Sequence, residues 1–253
     1  MESLLKVENL CKSYKRCGRE INAVQNANIE LSCGEAVGIV GSSGSGKSTL
    51  LRLISGLESP DSGCIYLDGR KLPSKRSISD KRDIQMIFQD APASFHPKKT
   101  IMHSINDAAQ SLMGRDAQID YDKLFSSVGL NTELARRYPS ALSGGQCQRF
   151  AIARALVFSP RVLLCDEITS ALDVFSQEQV IKLLSSLCRD KGTAVIFVSH
   201  DIALVSGFCD RITVIDGGKT VEEGNTQALL ASPKNDCTKK LISSVMEIKH
   251  GEY

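Results

Sequence analysis

One octapeptide constrains the fold of this chain more than any other segment. Residues 41–48, GSSGSGKS, match the phosphate-binding loop pattern G-x-x-x-x-G-K-[ST] at every fixed position. An apolar run at residues 36–40 precedes the loop and predicts a buried strand, and a run with helical periodicity follows it. Glycines let backbone N–H groups converge on phosphate oxygens, and the dipole of the following helix adds positive potential there. Strand, loop and helix together predict a site for a nucleoside triphosphate.

The loop residues divide between binding phosphate and holding a metal ion. We expect Lys47 to reach the β- and γ-phosphates, and the Ser48 hydroxyl to join the coordination shell of Mg²⁺. A flexible Gly/Ser-rich turn is the alternative, and the strand and helix on either side argue against it. The expected nucleotide-binding residues of this region are Gly41, Ser42, Ser43, Gly44, Ser45, Gly46, Lys47, Ser48 and Thr49.

A second apolar run ends in two acidic residues. Residues 162–165, VLLC, predict a buried strand, and Asp166 and Glu167 follow it directly. In phosphoryl-transfer sites an aspartate at the carboxyl end of a strand holds Mg²⁺, and a neighbouring acid can polarise water for attack on the γ-phosphorus. Such a run is equally typical of a simple strand-end turn. The phosphate-binding loop elsewhere in the chain favours the catalytic interpretation.

A pair of glycines predicts a second anion-binding site. Ser143 can cap the helix that follows it, and Gly144 and Gly145 leave backbone N–H groups accessible at the helix N-terminus. An ordinary capped helix start is the alternative.

Composition excludes several classes of protein. The net charge of +2 gives no electrostatic reason to expect a nucleic-acid partner. No apolar run approaches the roughly 20 residues needed to cross a bilayer, and the first ten residues do not resemble a secretory signal. The nine cysteines are scattered without a C-x-x-C pair, so we expect reduced thiols. These observations predict a protein in the cytosol or on the cytosolic face of a membrane.

The pattern of apolar and polar residues and of prolines divides the chain into three parts. We expect residues 1–90 and 161–225 to form a nucleotide-binding α/β core, in which alternating apolar and polar residues near the N-terminus predict an antiparallel β part. Prolines interrupt segments of helical periodicity at residues 91–160, which predicts a helical subdomain. Residues 226–253 are expected to form a C-terminal helical tail.

These motifs, in this order, resemble the ATP-binding subunit of ABC transporters. Residues 142–146, LSGGQ, match the signature motif of that family letter for letter, and the resemblance runs from about residue 7 to about residue 223. It implies the α/β fold of a P-loop NTPase ABC cassette, with a RecA-like core, an antiparallel β subdomain and a helical subdomain. It also implies an ATPase that uses ATP and Mg²⁺.

The resemblance assigns further residues to the site. Gln89 corresponds to the glutamine of the Q-loop, which touches Mg²⁺, and His200 corresponds to the switch histidine, which contacts the γ-phosphate. Residues 170–173, SALD, match the D-loop at the dimer interface, and Tyr14 lies where the family places an aromatic that stacks on adenine. The resemblance implies catalytic roles for Glu167, His200, Lys47 and Gln89, Mg²⁺ contacts from Ser48, Gln89 and Asp166, and further nucleotide contacts from Tyr14, Ser143, Gly144, Gly145, Gln146 and Asp173.

Partners follow from the same resemblance. In the family two cassettes face each other head to tail, with each ATP between the phosphate loop of one and the signature helix of the other. Residues 82–90, 94–100, 165–170, 232–233 and 238–241 resemble the peptide and nickel importer branch. Members of that branch usually pair two different ATPases. This implies a second ABC ATPase in a heterodimer rather than a homodimer, two transmembrane permease subunits, an indirectly acting solute-binding protein and a peripheral location on the cytoplasmic side of the inner membrane.

The cargo and one rival class stay open at this point. The branch implies nickel, metallophore complexes or short peptides as cargo. The alternative is a soluble ABC ATPase that acts on ribosomes or DNA. A single cassette without an inserted coiled coil argues against it.

Two residues depart from the family pattern, and two apolar residues have two possible environments. Ile168 replaces the proline that usually follows the catalytic glutamate, and we expect activity to survive because no catalytic group is lost. Cys147 is expected on the flank of the signature helix. Phe95 and Ile101 either contact a permease or pack within the helical region.

Overall fold

The computed structural model of the protein describes residues 3–16 and 18–250. Cys17 and residues 251–253 of the expected tail lie outside these ranges. Within them the chain forms two β-sheets, with helices packed around the larger one.

An antiparallel sheet is built close to the N-terminus. β1 (Leu5–Arg16) pairs with β2 (Arg19–Leu31) on one side and with β4 (Ser62–Leu67) on the other, and the short β5 (Arg70–Lys71) extends the order to β2-β1-β4-β5. Apolar residues of the strands, such as Leu5 and Leu31, pair across the ladder and are fully buried. The alternating pattern predicted this antiparallel part, and the structure confirms it.

A six-stranded sheet, in the order β10-β9-β3-β8-β7-β6, carries the phosphate loop. All neighbours in it run parallel except the edge strand β10. The central strands β3, β7 and β8 are buried at every residue, as expected for a parallel sheet covered on both faces. The strands are β3 (Ala36–Val40), β6 (Ile84–Ile87), β7 (Val162–Asp166), β8 (Ala194–Val198), β9 (Arg211–Asp216) and β10 (Lys219–Asn225).

Helices cover both faces of this sheet. Short 3₁₀ turns at residues 92–94, 134–136 and 139–141 separate some of them. No helix in the described ranges is long and apolar enough to cross a membrane. The α-helices are α1 (Lys47–Ser55), α2 (Ile78–Asp83), α3 (Ile101–Met113), α4 (Tyr121–Ser127), α5 (Gly144–Leu156), α6 (Val174–Lys191), α7 (Ile202–Phe208), α8 (Thr226–Ala231) and α9 (Asp236–His250).

Two hydrophobic cores lie on opposite faces of the six-stranded sheet. One packs α1 and the antiparallel sheet against side chains such as Ile39 and Leu164. The other packs helices of residues 101–156 against the opposite face, through side chains such as Phe150 and Leu163. The helical region therefore shares a core with the sheet that carries the phosphate loop. The proposed division into residues 1–90 with 161–225, 91–160 and 226–253 stays a prediction.

The structure decides the environment of three side chains that the sequence placed on a helix flank or left open between two environments. Cys147 is fully buried, and its thiol donates to the carbonyl of Pro139 at 3.5 Å, so its placement on the helix flank was wrong. Phe95 and Ile101 are 3% and 0% exposed, which identifies them as packing residues of this chain rather than permease contacts. All cysteines in the described ranges are free thiols, as expected.

Candidate nucleotide-binding and hydrolysis site

The phosphate loop connects the carboxyl end of β3 to the amino end of α1. Gly41 and Gly46 have φ angles of 158° and 102°. A Cβ atom at Gly41 would lie 2.1 Å from the carbonyl oxygen of Ile215, and one at Gly46 would lie 2.0 Å from that of Ala23. Both positions therefore require glycine for conformation and for space. The sequence pattern identified this loop because its glycines are needed by the backbone itself.

Polar groups inside the loop fit a phosphate ligand. The Lys47 ammonium donates to the carbonyls of Gly41 and Ser42 at 2.9 and 2.8 Å, and its residue is only 4% exposed. Burial lowers the pKa of Lys47, while the nearby Glu167 and Asp166 carboxyls oppose this shift. The buried Ser45 hydroxyl has no hydrogen-bond partner in the described part of the chain. Lys47, which is held by carbonyls of its own loop, and the Ser45 hydroxyl are therefore both suited to bind phosphate oxygens.

Ser48 and Asp166 form an oxygen-rich pair that could hold Mg²⁺. The Ser48 hydroxyl donates to Oδ1 of Asp166 at 2.9 Å, which joins the start of α1 to the end of β7. Asp166 is 5% exposed, and burial raises the pKa of its carboxyl. Hydroxyl and carboxylate oxygens are the ligands that Mg²⁺ prefers. The pair therefore fits the ion that the sequence implied.

Glu167 occupies a constrained backbone position. Its φ angle is +48°, in the left-handed region, and its N–H donates to the carbonyl of Val198 at 3.1 Å. A long side chain in this region costs about 1–3 kcal/mol, which the surrounding structure must supply. Ile168, the residue that replaces the usual proline, is 2% exposed and belongs to the core that packs against α5. Ile168 therefore fixes the loop after Glu167 by packing in the core, whereas a proline would fix it by restricting the backbone φ angle.

Three polar side chains converge at the carboxyl ends of neighbouring strands. Gln89 follows β6, Glu167 follows β7 and His200 follows β8. The Gln89 amide donates to Oε2 of Glu167 at 3.1 Å, and Nδ1 of His200 lies 3.6 Å from the same oxygen. The His200 side chain is 63% exposed, whereas that of Glu167 is 20% exposed. Ligands of open α/β sheets bind at such strand ends.

A cleft of about 690 Å³ extends from Gln89 of this cluster to the start of α5. Ser48, Gln89 and Asp166 line one part of it, and Gly144 lines another. The structure therefore brings the phosphate-loop helix, the Gln89 segment and the signature helix around one space.

The signature residues build a capped helix start. The Ser143 hydroxyl accepts from the N–H of Gln146 at 3.2 Å, and the Gln146 side-chain oxygen accepts from the N–H of Ser143 at 3.0 Å. A Cβ atom at Gly145 would lie 3.2 Å from the hydroxyl of Ser176, so this helix start packs closely against the start of α6. Asp173 caps α6 by accepting from the N–H of Ser176 at 2.9 Å, and this bond lowers the pKa of Asp173.

Tyr14 lies apart from the cleft. Its hydroxyl donates to Glu58, its residue is 37% exposed, and the Lys12 ammonium lies 5.7 Å from its ring centroid. Tyr14, Ser143, Gln146 and Asp173 do not line the cleft that contains Asp166.

Sequence reasoning missed Gln148 in this cleft. Gln148 is 3% exposed, and its amide nitrogen has no hydrogen-bond partner within residues 3–16 and 18–250. Helical periodicity gave the available signal, because Cys147 and Ala151 are also buried on the same helix.

Comparison with known proteins decides the family. A family model described as "ABC transporter" matches residues 24–170. The chain belongs to the ABC transporter family. It has the ABC cassette fold that the sequence implied, and like the ATP-binding subunits of this family it is an ATPase.

Matches to import and transport ATP-binding proteins cover nearly all of the chain. It is 34% identical to the methionine import ATP-binding protein MetN of Mannheimia succiniciproducens, over 96% of this chain and 71% of MetN. It is 40% identical to the glutathione import ATP-binding protein GsiA of Escherichia coli, over 96% of this chain but only 41% of GsiA. It is 38% identical to the oligopeptide transport ATP-binding protein OppF of Haemophilus influenzae, over 96% of this chain and 78% of OppF.

Solved structures agree with the fold. The ATP-binding cassette MJ0796, a dimer in a post-hydrolysis state bound to ADP and Pi, has a TM-score of 0.79 and 33% identity. The match covers 88% of this chain and 98% of that cassette.

Proposed function

We propose that this chain is the ATP-hydrolysing subunit of an ABC importer for short peptides, with nickel or metallophore complexes as the second candidate cargo. One observation carries the hydrolytic part: Gln89, Glu167 and His200 converge beside the Ser48–Asp166 pair. Import is supported by the names of MetN and GsiA, and a peptide cargo is supported by the name of OppF, which refers to oligopeptides, and by that of GsiA, since glutathione is a tripeptide. Nickel is supported only by the sequence resemblance of residues 165–170.

The proposed reaction assigns a task to each polar group. Lys47 leaves the carbonyls of its own loop and binds the β- and γ-phosphate oxygens, while Ser45 donates to phosphate. Ser48 and Asp166 would hold Mg²⁺, which would supply positive charge beside the phosphate oxygens. Glu167 accepts the proton of the attacking water. These roles follow the phosphoryl-transfer pattern, in which positioning and charge stabilisation dominate.

Gln89 and His200 position the reacting groups. Both already contact Oε2 of Glu167, so they can hold its carboxylate in one orientation. His200 is exposed enough to meet the γ-phosphate at the mouth of the site. Tyr14 would stack on the adenine ring, since much of the Tyr14 residue is exposed.

The chain presents an apolar surface for a second cassette. Val174 and Phe175, at the start of α6, are 82% and 68% exposed. They precede Ser176, whose hydroxyl lies close to Gly145 of the signature helix. Exposed apolar clusters of this kind mark protein contacts. We propose that the partner cassette covers them, as a heterodimer, so that Ser143 to Gln146 and Asp173 reach the partner's nucleotide.

Of the two permease subunits, one would dock on the helical region of this chain and the other on the partner cassette. A groove of about 460 Å³ lies between α3, α4 and the 134–136 turn, and Met102 and Tyr121 give it partly buried apolar walls. We propose that it receives a cytoplasmic segment of a permease, which would place the chain peripherally on the cytoplasmic side of the inner membrane. A solute-binding protein would act indirectly, through the permeases.

Copurification with a permease, followed by an uptake assay, tests this proposal. The chain is expressed together with candidate permease subunits, purified through a permease tag, and reconstituted for uptake of labelled short peptides, nickel and metallophore complexes. We expect ATP-dependent uptake of one cargo class and none with Lys47→Ala. Copurification with ribosomes or DNA in place of a permease would instead favour the soluble ABC ATPase.

A further inference from the structure

A second groove, which we call the amino-end groove, lies at the end of the six-stranded sheet opposite the phosphate loop. Its main part is a cavity of about 700 Å³, and a smaller cavity of about 170 Å³ shares Leu4, Cys33 and Arg161 with it. Arg161 directly precedes β7 and Cys33 lies shortly before β3, whereas the nucleotide site lies at the carboxyl ends of these strands. A cavity of this size is typical of sites for small molecules. The amino-end groove is therefore separate from the nucleotide site.

The charged walls of the groove are held by the backbone. Asp68 and Gly69 join β4 to β5 with φ angles of +50° and +70°, as in a two-residue type I′ hairpin turn. The N–H of Arg161 donates to the carbonyl of Asp83 at 2.9 Å, and its carbonyl accepts from the N–H of Ala194 at 2.8 Å. A site that is already formed loses less entropy when a ligand binds.

Carboxylates predominate at one end of the groove. The Lys6 ammonium lies 2.8 Å from Oε1 of Glu8 and 3.6 Å from Oε1 of Glu30. Lys71, on the far side of β4, is hydrogen-bonded to Cys64. Two carboxylates thus contact one ammonium group at this end, which favours a ligand that brings a further cation.

Cations predominate at the other end. Both Nη atoms of Arg161 donate to the carboxylate of Asp68, with Nη2 and Oδ1 2.8 Å apart, and Lys191 also lines the smaller cavity. The side chains of Arg161 and Asp68 are 43% and 55% exposed. Such exposed ion pairs contribute little to stability, so a ligand can share the forked guanidinium at small cost. This end favours a ligand carboxylate.

Strand register sets the length of ligand that reaches both ends. Lys6 lies opposite Tyr66, and the N–H of Asp68 donates to the carbonyl of Leu4 at 2.9 Å. Asp68 is therefore level with a position two residues from Lys6 and four residues from Glu8, or about 7 Å and 13 Å along the strand. An extended peptide spans at most about 3.5 Å per residue, so two to four residues cover these distances. Leu4 and Tyr66 line the groove between its ends and offer apolar surface to peptide side chains.

We propose that the amino-end groove binds a zwitterionic peptide of two to four residues, with its ammonium group at Glu8 and Glu30 and its carboxylate at Arg161 and Lys191. A nucleotide or another polyanion fits less well, because its charges would also meet the carboxylates of Glu8 and Asp68. This site goes beyond the proposed hydrolysis and does not depend on it, since it lies at the opposite end of the strands.

Calorimetric titration of the purified full chain, without a permease, tests the proposal. The probes are trialanine, N-acetyl-trialanine, trialanine amide and the single amino acid alanine. We expect trialanine to bind, and loss of either terminal charge to weaken binding by about tenfold. Alanine is too short to reach both ends and should bind at least as weakly as the blocked peptides. Saturating ATP should leave the Kd of trialanine unchanged within about twofold, because the two sites are separate.

Two variants locate the ends of the peptide. Glu8→Gln should weaken trialanine binding and leave the affinity for N-acetyl-trialanine unchanged, because that probe lacks the ammonium group. Arg161→Met should weaken trialanine binding and leave the affinity for trialanine amide unchanged. Arg115→Met is the control, since Arg115 is exposed and lies outside the groove. The melting temperature of each variant is measured to confirm that it folds.

No heat of binding with trialanine, equal affinity for trialanine and its N-acetyl form, or displacement of trialanine by ATP would overturn the proposal. Failure of the proposed function is a separate result, because this binding requires neither a permease nor ATP turnover.

Discussion

Replacing Gln148 with leucine should make the protein more stable and less active. The amide nitrogen of Gln148 is buried in a residue 3% exposed and has no hydrogen-bond partner in the described chain. Leaving a buried donor unsatisfied costs about 1–3 kcal/mol, and leucine has a similar size without the polar group. We therefore expect Gln148→Leu to raise the free energy of unfolding by about 2 kcal/mol. For a chain of this length that corresponds to a rise of about 4–8 °C in melting temperature.

Scanning calorimetry without nucleotide measures this change, and a turnover assay at saturating ATP accompanies it. Turnover is expected to fall, because Gln148 lines the same cleft as Gln89 and leucine cannot donate a hydrogen bond to a ligand there. Gln110→Leu is the matched control: Gln110 is exposed on α3, and its replacement should change stability by less than about 0.5 kcal/mol. A melting temperature for Gln148→Leu at or below that of the wild type would refute the reasoning.

Two further predictions concern stability. Burial raises the pKa of Asp80, but hydrogen bonds from Arg70 and Ser77 outweigh it and hold this pKa below its ordinary value. Asp80 therefore stabilises the fold at neutral pH, and the deficit of Asp80→Asn in urea unfolding should shrink as pH falls below about 4; a deficit independent of pH would contradict this. Phe125→Ala should cost about 3–5 kcal/mol in the same assay, because Phe125 is fully buried against Phe150, and a loss below 1 kcal/mol would contradict that packing.

The sequence predicted the elements whose patterns are strong. The phosphate loop and the buried strands β3 and β7 were identified because continuous apolar runs of this length are typical of covered strands. Helix α3 (Ile101–Met113) lies within residues 91–160, where the sequence shows segments of helical periodicity. Its N-cap, Thr100, accepts from the N–H of His103 and defines the start.

Weakly patterned elements escaped prediction. α2 spans six residues, ISDKRD, with little apolar periodicity, and its capping box uses Asp80 where glutamate or glutamine is typical. The two-residue strand β5 forms only because it pairs with β4. Such elements depend on tertiary partners that periodicity does not encode.

The site itself was only partly accessible from sequence. Spacing identified Lys47 and Ser48 through their loop, but Gln89 and His200 came from the family resemblance, because one glutamine or one histidine after a strand has no distinctive local pattern. The contact of both with Glu167 depends on strand order, which places β6, β7 and β8 side by side.

The most direct test of the whole account is ATP turnover by Glu167→Gln in the purified transporter, measured alongside equilibrium ATP binding. Glutamine keeps the size of Glu167 and can occupy the same backbone position, but it cannot accept the proton of the attacking water. The account predicts ATP affinity within about twofold of wild type and a turnover lower by about 10²–10⁴-fold, the usual contribution of a general base. Wild-type turnover in this variant would show that the group that activates water lies elsewhere, and would contradict the account.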